Sequence, residues 1–158
     1  MHAPAATFAA VFAVLYVAHS VGDHWIQTSA QAAAKGRPGW AGRFADTRHV
    51  ATLTATKAVL LAPAAVVLHL HLAWAGLVTG FAVDAVSHWW ADRRSTLAAL
   101  ARVTGNSEFY ELGTPAHPAA PATATGSYAP TIGTGAYALD QSWHHLWLLI
   151  AALLITTV

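Results

Sequence analysis

Histidine and aspartate recur in this chain at a spacing of four: His19-x-x-x-Asp23, Asp84-x-x-x-His88-x-x-x-Asp92 and Asp140-x-x-x-His144, with His49 standing alone between the first two groups. Residues four apart on a helix lie one turn above one another on the same face, so each group makes a stripe of imidazole and carboxylate. That mixture of donors suits zinc, manganese or iron better than calcium, which takes oxygen ligands throughout. The chain has no cysteine, so a thiolate site is excluded. His19, Asp23, His49, Asp84, His88, Asp140 and His144 are therefore candidate ligands for a divalent metal. The set exceeds the three or four donors that one zinc needs, leaving room for supporting carboxylates or for a second ion.

The segments that must position these residues are strongly apolar. Of 158 residues, 56% are hydrophobic and only 9% charged, against roughly 25% charged in soluble domains. The expected fold is all-α: a polytopic membrane protein built as an antiparallel four-helix transmembrane bundle in a single domain. Its helices are expected over about 3–24, 48–72, 73–102 and 140–158, and Pro63 is expected to kink the second. The first run lacks the basic start of a signal peptide and is read as a retained helix. Residues 103–139, rich in Ala, Gly, Pro and Thr, are expected to form a flexible cytoplasmic loop.

Seven of the eight Lys and Arg residues, Lys35, Arg37, Arg43, Arg48, Arg93, Arg94 and Arg102, lie in the connections on one side of such a bundle. By the positive-inside rule that side is cytoplasmic, and both termini are extracytoplasmic. Trp25, Trp89, Trp90 and Trp143 fall at the same boundary, where amphipathic rings belong. A net charge of +1, with basic residues dispersed over loops, gives no nucleic-acid footprint. Membrane lipid is the expected partner, and association into homo-oligomers stays open.

All of the stripes lie at the cytoplasmic ends of their helices, so four segments can converge on one site. A bound divalent ion would lower the pKa of water from 15.7 towards about 7. Asp23 or Asp92 is the candidate base, and Lys57 or Arg93 the candidate group that steadies developing negative charge. Lys57 lies eight residues after His49, on about the same helix face, and could equally pair with a carboxylate. These residues fit a metal-dependent hydrolase acting on a lipid or lipid-linked phosphoester. Three other readings compete: transport of metal ions or protons, haem held by paired histidines such as His19 and His88, and a structural role. In the structural reading the clusters merely make interhelical hydrogen bonds, worth about 0.6 kcal/mol on average. Gln27 and Gln141 are candidate hydrogen-bond partners of the ligands, and His24 and His145 spare ligands.

The string Ala18-His19-Ser20-Val21-Gly22-Asp23-His24-Trp25-Ile26-Gln27, with His49, Asp84-x-x-x-His88 and Leu139-Asp140-Gln141-Ser142-Trp143-His144, resembles a family of uncharacterised small bacterial and phage integral membrane proteins. Their pattern is His-x-x-Gly-Asp near the end of the first helix and Asp-Gln-x-x-His before the last. The family is in turn similar in pattern to inner-membrane proteins described as metal-dependent hydrolases. The resemblance implies a bacterial or phage origin, an inner-membrane location and a functional set of His19, Asp23, His49, Asp84, His88, Asp140 and His144. The long Ala, Pro and Thr-rich loop departs from the family's shorter connection.

Overall fold

The computed structural model describes residues 4–113 and 133–158, and every described regular element is helical. Helix α1 (Pro4–Val21) runs directly into a π-helical turn, Gly22–Ile26. A short α2 (Ser29–Ala34) leads to the long α3 (Gly39–Val67), followed by α4 (Trp74–Asp92), α5 (Ser95–Val103), α6 (Ser107–Glu111) and α7 (Gly135–Thr157). Helices α1, α3, α4 and α7 pack in a ring in that order. The end of α1, the start of α3, the end of α4 and the start of α7 meet, so neighbours in the ring run antiparallel.

Each long helix buries one stripe at helical spacing, and each stripe changes character along its length. On α3 the buried residues are Gly42, Asp46, His49, Val50, Leu53, Lys57 and Leu61. On α7 they pass from Gly135, Ala136 and His144 to Leu148, Ala151, Ala152 and Ile155. Val11, Leu15, Leu61, Leu148, Ala151, Ala152 and Ile155 form a continuous apolar core at one end of the ring, and the imidazoles and carboxylates fill the other. The outward faces are apolar as well: Val59, Val66, Val78 and Val86 are 64–73% exposed. Helices that are apolar all round while burying polar groups reverse the pattern of a soluble bundle. Two of the described helices, Pro4–Ile26 and Gly39–Val67, are long and apolar enough to cross a membrane.

Helices α4 and α7 form the most extensive pair, and two glycines make it possible. A Cβ at Gly76 would stand 2.8 Å from the Ile155 carbonyl oxygen, and one at Gly80 would stand 2.5 Å from Ile155 Cγ1 and 2.8 Å from the Ala151 carbonyl oxygen. Small residues one turn apart let backbones approach closely, which is how helices gain packing energy where no hydrophobic force drives them together.

Several expected boundaries move. Helix α3 starts at Gly39, not at 48, from an extended Pro38, and it continues through Pro63. The expected helix 73–102 divides because Arg94 adopts a left-handed conformation, φ 57°, which turns the chain from α4 into α5. Helix α7 begins at Gly135, five residues ahead of Asp140, because the Thr134 side chain accepts a hydrogen bond from the Tyr137 amide at 3.1 Å. Of the expected loop 103–139, Ser107–Glu111 is helical, and 114–132 lies outside the described residues. Helix α2 was not expected, although its signal is present: Thr28 and Gln31 form a reciprocal capping box.

Replacing Gly80 by Val should push α4 away from α7 and cost about 1–3 kcal/mol, read as a lower unfolding midpoint in detergent. Replacing Val78, on the outward face of the same helix, by Ala should leave that midpoint nearly unchanged. Equal effects from the two substitutions would contradict the close packing described here.

Candidate metal centre

The π-turn at the end of α1 places the first acidic group. A π-turn holds one more residue per turn than an α-helix and redirects the side chains it carries, an arrangement found most often at functional sites. Gly22 permits it, since a Cβ there would meet Leu53 Cδ1 at 2.2 Å. The close approach of α1 to α3 that results brings Asp23 Oδ1 to 3.0 Å from His49 Nε2.

Around that contact four donor atoms from three segments converge. His49 Nε2 lies 3.1 Å from His88 Nε2 and 3.4 Å from Asp92 Oδ2, His88 Nε2 lies 3.3 Å from Asp92 Oδ2, and Asp23 Oδ1 lies 3.8 Å from His88 Nε2. Tetrahedral zinc, about 2.0–2.2 Å from nitrogen and oxygen ligands, holds those ligands roughly 3.3–3.5 Å apart. These five separations bracket that value, while Asp23 and Asp92 fall in different metal-sized groups that share His88. Asp23 Oδ1 and Asp92 Oδ2 are buried, and neither has a hydrogen-bond partner among the described residues. Buried acceptors without donors cost free energy unless a cation faces them. Asp23, His49 and His88 each offer one atom within a sphere that would fit a metal ion, as do His88, Asp92 and His144, and Asp23, Asp140 and His144. The buried His and Asp groups can thus hold a metal.

Supporting contacts orient these donors. The Gln27 amide nitrogen lies 2.9 Å from His49 Nδ1. The same nitrogen lies 2.9 Å from His49 Nε2, so Gln27 sits at the ring edge between the two nitrogens and fixes the orientation of the imidazole. Gln141 Nε2 donates to Asp23 Oδ2 at 3.3 Å, and Gln141 Oε1 lies 3.4 Å from His19 Nε2. His19 thus stands behind Asp23 and not among the converging donors. His144 Nε2 lies 3.5 Å from Asp140 Oδ1 and 4.0 Å from Asp92 Oδ1, and its ring stacks on His88 with centroids 3.8 Å apart.

The expected site residues therefore separate into groups. Asp23, His49, His88, Asp92, Asp140 and His144 come together. Asp84 does not join them. One turn deeper, it accepts a hydrogen bond from Lys57 Nζ at 2.5 Å, and both side chains are buried. Lys57 is consequently committed to a carboxylate and does not face the cluster. Arg93 also points elsewhere: its guanidinium donates to the carbonyls of Lys35 and Arg37 and stands 3.7 Å from Asp46 Oδ2. His24, exposed, lies with its Nδ1 2.8 Å from the Ser20 carbonyl oxygen and its Nε2 2.9 Å from the Tyr137 hydroxyl, and His145 packs beside Tyr16 and His19.

Two participants were not expected from the sequence. Lys35, read there only as a topogenic loop charge, reaches Asp92 Oδ1 at 2.8 Å and Asp23 Oδ1 at 4.0 Å. Burial by itself would lower its pKa, but Asp92 and Asp23 outweigh that and raise it above the ordinary lysine value. Asp46, fully buried, lies three residues before His49 on α3, and that spacing could have marked it as sharing the His49 face. For Lys35 no local pattern gives the contact, because it depends on how Arg93 holds the α2–α3 turn against the end of α4.

No protein-family model, curated protein or solved structure matches this chain.

Replacing Lys57 by Met leaves Asp84 as an unpaired buried charge, and about 3–5 kcal/mol of stability should be lost. Combining Lys57→Met with Asp84→Leu should restore most of it, as followed by denaturation in detergent. Failure of the double variant to recover would show that Asp84 has another essential partner.

Proposed function

We propose that this chain is a polytopic protein of the bacterial cytoplasmic membrane, an antiparallel four-helix transmembrane bundle with both termini extracytoplasmic. In this reading its polar end holds a divalent ion, zinc in the first instance, and hydrolyses a lipid or lipid-linked phosphoester from the cytoplasmic side. The observation that carries the proposal is the convergence of Asp23 Oδ1, His49 Nε2, His88 Nε2 and Asp92 Oδ2 at 3.0–3.8 Å from one another in their measured pairs. The apolar outward faces support the membrane setting, and the concentration of Lys and Arg in two connections supports the orientation. The resemblance of the His-x-x-Gly-Asp and Asp-Gln-x-x-His strings to small bacterial and phage membrane proteins points the same way.

His49, His88 and Asp92, each at most 2% exposed, are the holding ligands. A bound ion of this kind supplies Lewis acidity and makes water a nucleophile at neutral pH. Asp23 stands beside these three, 3.0 Å from His49 Nε2 with its side chain 8% exposed, and is the group placed to take up a proton from the attacking molecule. Its other oxygen is held by Gln141, so the carboxylate is oriented before substrate arrives. Asp140, the most exposed acid of the cluster at 16%, marks the side from which substrate enters. Lys57 and Arg93, each paired elsewhere, have no part in this scheme. Translocation of ions is disfavoured by the apolar core of Val11, Leu15, Leu61, Leu148 and Ile155, which fills the bundle beyond the Lys57–Asp84 pair.

Purified protein should carry stoichiometric divalent metal. His88→Ala and His49→Ala should lower occupancy at least tenfold, while His24→Ala should retain it. Hydrolysis of phospholipid or polyprenyl phosphate in nanodiscs should stop on chelation and return with zinc. Metal content indifferent to His49 and His88 would overturn the metal centre, and a loaded protein that turns over no phosphoester would overturn the hydrolase.

A further inference from the structure

We propose that Lys35 is the second cation of this centre: its ammonium group holds the place beside Asp92, Asp140 and His144 that a second divalent ion would otherwise take, so the site binds one metal ion and not two. The inference rests on the metal reading above and specifies its stoichiometry.

Asp92 presents one oxygen to each of two clusters. Its Oδ2 faces His49 Nε2 at 3.4 Å and His88 Nε2 at 3.3 Å. Its Oδ1 faces Lys35 Nζ at 2.8 Å and His144 Nε2 at 4.0 Å. His144 in turn lies 3.5 Å from Asp140 Oδ1. In dinuclear hydrolytic centres the ions stand about 3.5–4 Å apart, a separation that one carboxylate can bridge with its two oxygens. Donors for such a second ion are present: Asp23, Asp140 and His144 each offer one atom within a metal-sized group, as do His88, Asp92 and His144. His144 is 2% exposed, and neither of its ring nitrogens has a hydrogen-bond partner among the described residues. The oxygen that would bridge already has an ammonium, Lys35 Nζ, at 2.8 Å.

The lysine is delivered there by a fixed piece of chain. Arg93, the residue after Asp92, donates to the carbonyls of Lys35 and Arg37, and Arg94 donates to the Ala32 carbonyl at 2.8 Å. Gly36 leaves room for this clasp, since a Cβ there would stand 2.6 Å from Arg94 Cδ. Asp92 and the two arginines that follow it thus hold the α2–α3 turn over the carboxylates, with the Lys35 side chain 12% exposed.

Charge balance counted over the cluster alone gives the same number. Lys57 is paired with Asp84 one turn deeper, and Asp46, whose two oxygens have no hydrogen-bond partner among the described residues, stands outside it, 3.7 Å from Arg93. Asp23, Asp92 and Asp140 with Lys35 leave two negative charges, which one divalent ion cancels when the histidines are neutral ligands. A second ion beside Lys35 would leave two positive charges uncompensated in a buried site, which is costly.

The test is a metal count on protein stripped with chelator in nanodiscs and titrated with zinc alone, read by elemental analysis after desalting. Wild type should retain one equivalent, Lys35→Met two, Lys35→Met combined with His144→Ala one again, and Lys35→Arg one. Wild-type protein loaded with cobalt(II) should show the electron paramagnetic resonance of an isolated ion, a measurement that does not depend on any variant folding. Two equivalents or an exchange-coupled cobalt pair in wild type would overturn the inference, as would a single equivalent in folded Lys35→Met. One equivalent in both proteins would leave the metal centre standing and remove only the role of Lys35. No metal in wild type would overturn both.

Discussion

Asp23, Asp92 and Asp140 are brought together with His49, His88 and His144 at one end of a helix ring whose core at the other end is apolar, and among the described residues Lys35 is the basic side chain that faces them. Carboxylates removed from water must be compensated, and hydrogen bonds from neutral groups leave two of these oxygens without donors. Much of the structure around the site can be read as meeting that constraint. Of the remaining buried acids, Asp84 accepts a hydrogen bond from Lys57, while Asp46 has Arg93 at 3.7 Å and no hydrogen-bond partner among the described residues. What is left over is a negative charge of the size and placement that a divalent ion would balance.

Holding the acids so close depends on local backbone choices that would otherwise be disadvantages. The π-turn at Gly22–Ile26 gives up regular α-helical hydrogen bonding to redirect Asp23. Arg94 takes up a left-handed conformation that non-glycine residues disfavour, and in doing so ends α4 right after Asp92. Gly22, Gly76 and Gly80 sacrifice helix propensity so that α1 approaches α3 and α4 approaches α7. Each of these departures lies on a helix that carries a candidate ligand.

The side chains of the cluster are also layered by depth. The Lys57–Asp84 pair lies furthest inside, then the His49, His88 and Asp92 level, then Asp23 and Lys35, and Asp140 nearest the surface. From the second level outward side-chain exposure rises, from at most 1% at His49, His88 and Asp92 to 8% at Asp23, 12% at Lys35 and 16% at Asp140. Arg93 and Arg94 contribute indirectly, by pinning the turn that carries Lys35.

The sequence by itself determined the all-helical fold, the long apolar segments and the face on which each His and Asp lies, because helical periodicity is a local property and four-residue spacing fixes azimuth. His49, His88, Asp92 and His144 were legible as one level for that reason. Tertiary structure alone decided which of the aligned residues share a site. Asp84 and His88 occupy the same stripe, yet one turn of rise delivers Asp84 to Lys57 and His88 to the cluster. His19 and Asp23 remain a pair as expected, 3.8 Å apart, but the π-turn aims the other Asp23 oxygen at His49 while His19 stays behind it beside Gln141. Lys35 and Asp46 were passed over because their partners, Asp92 and Arg93, lie on another helix far along the chain, and only the folding of α2 and α3 against the end of α4 brings those charges within reach.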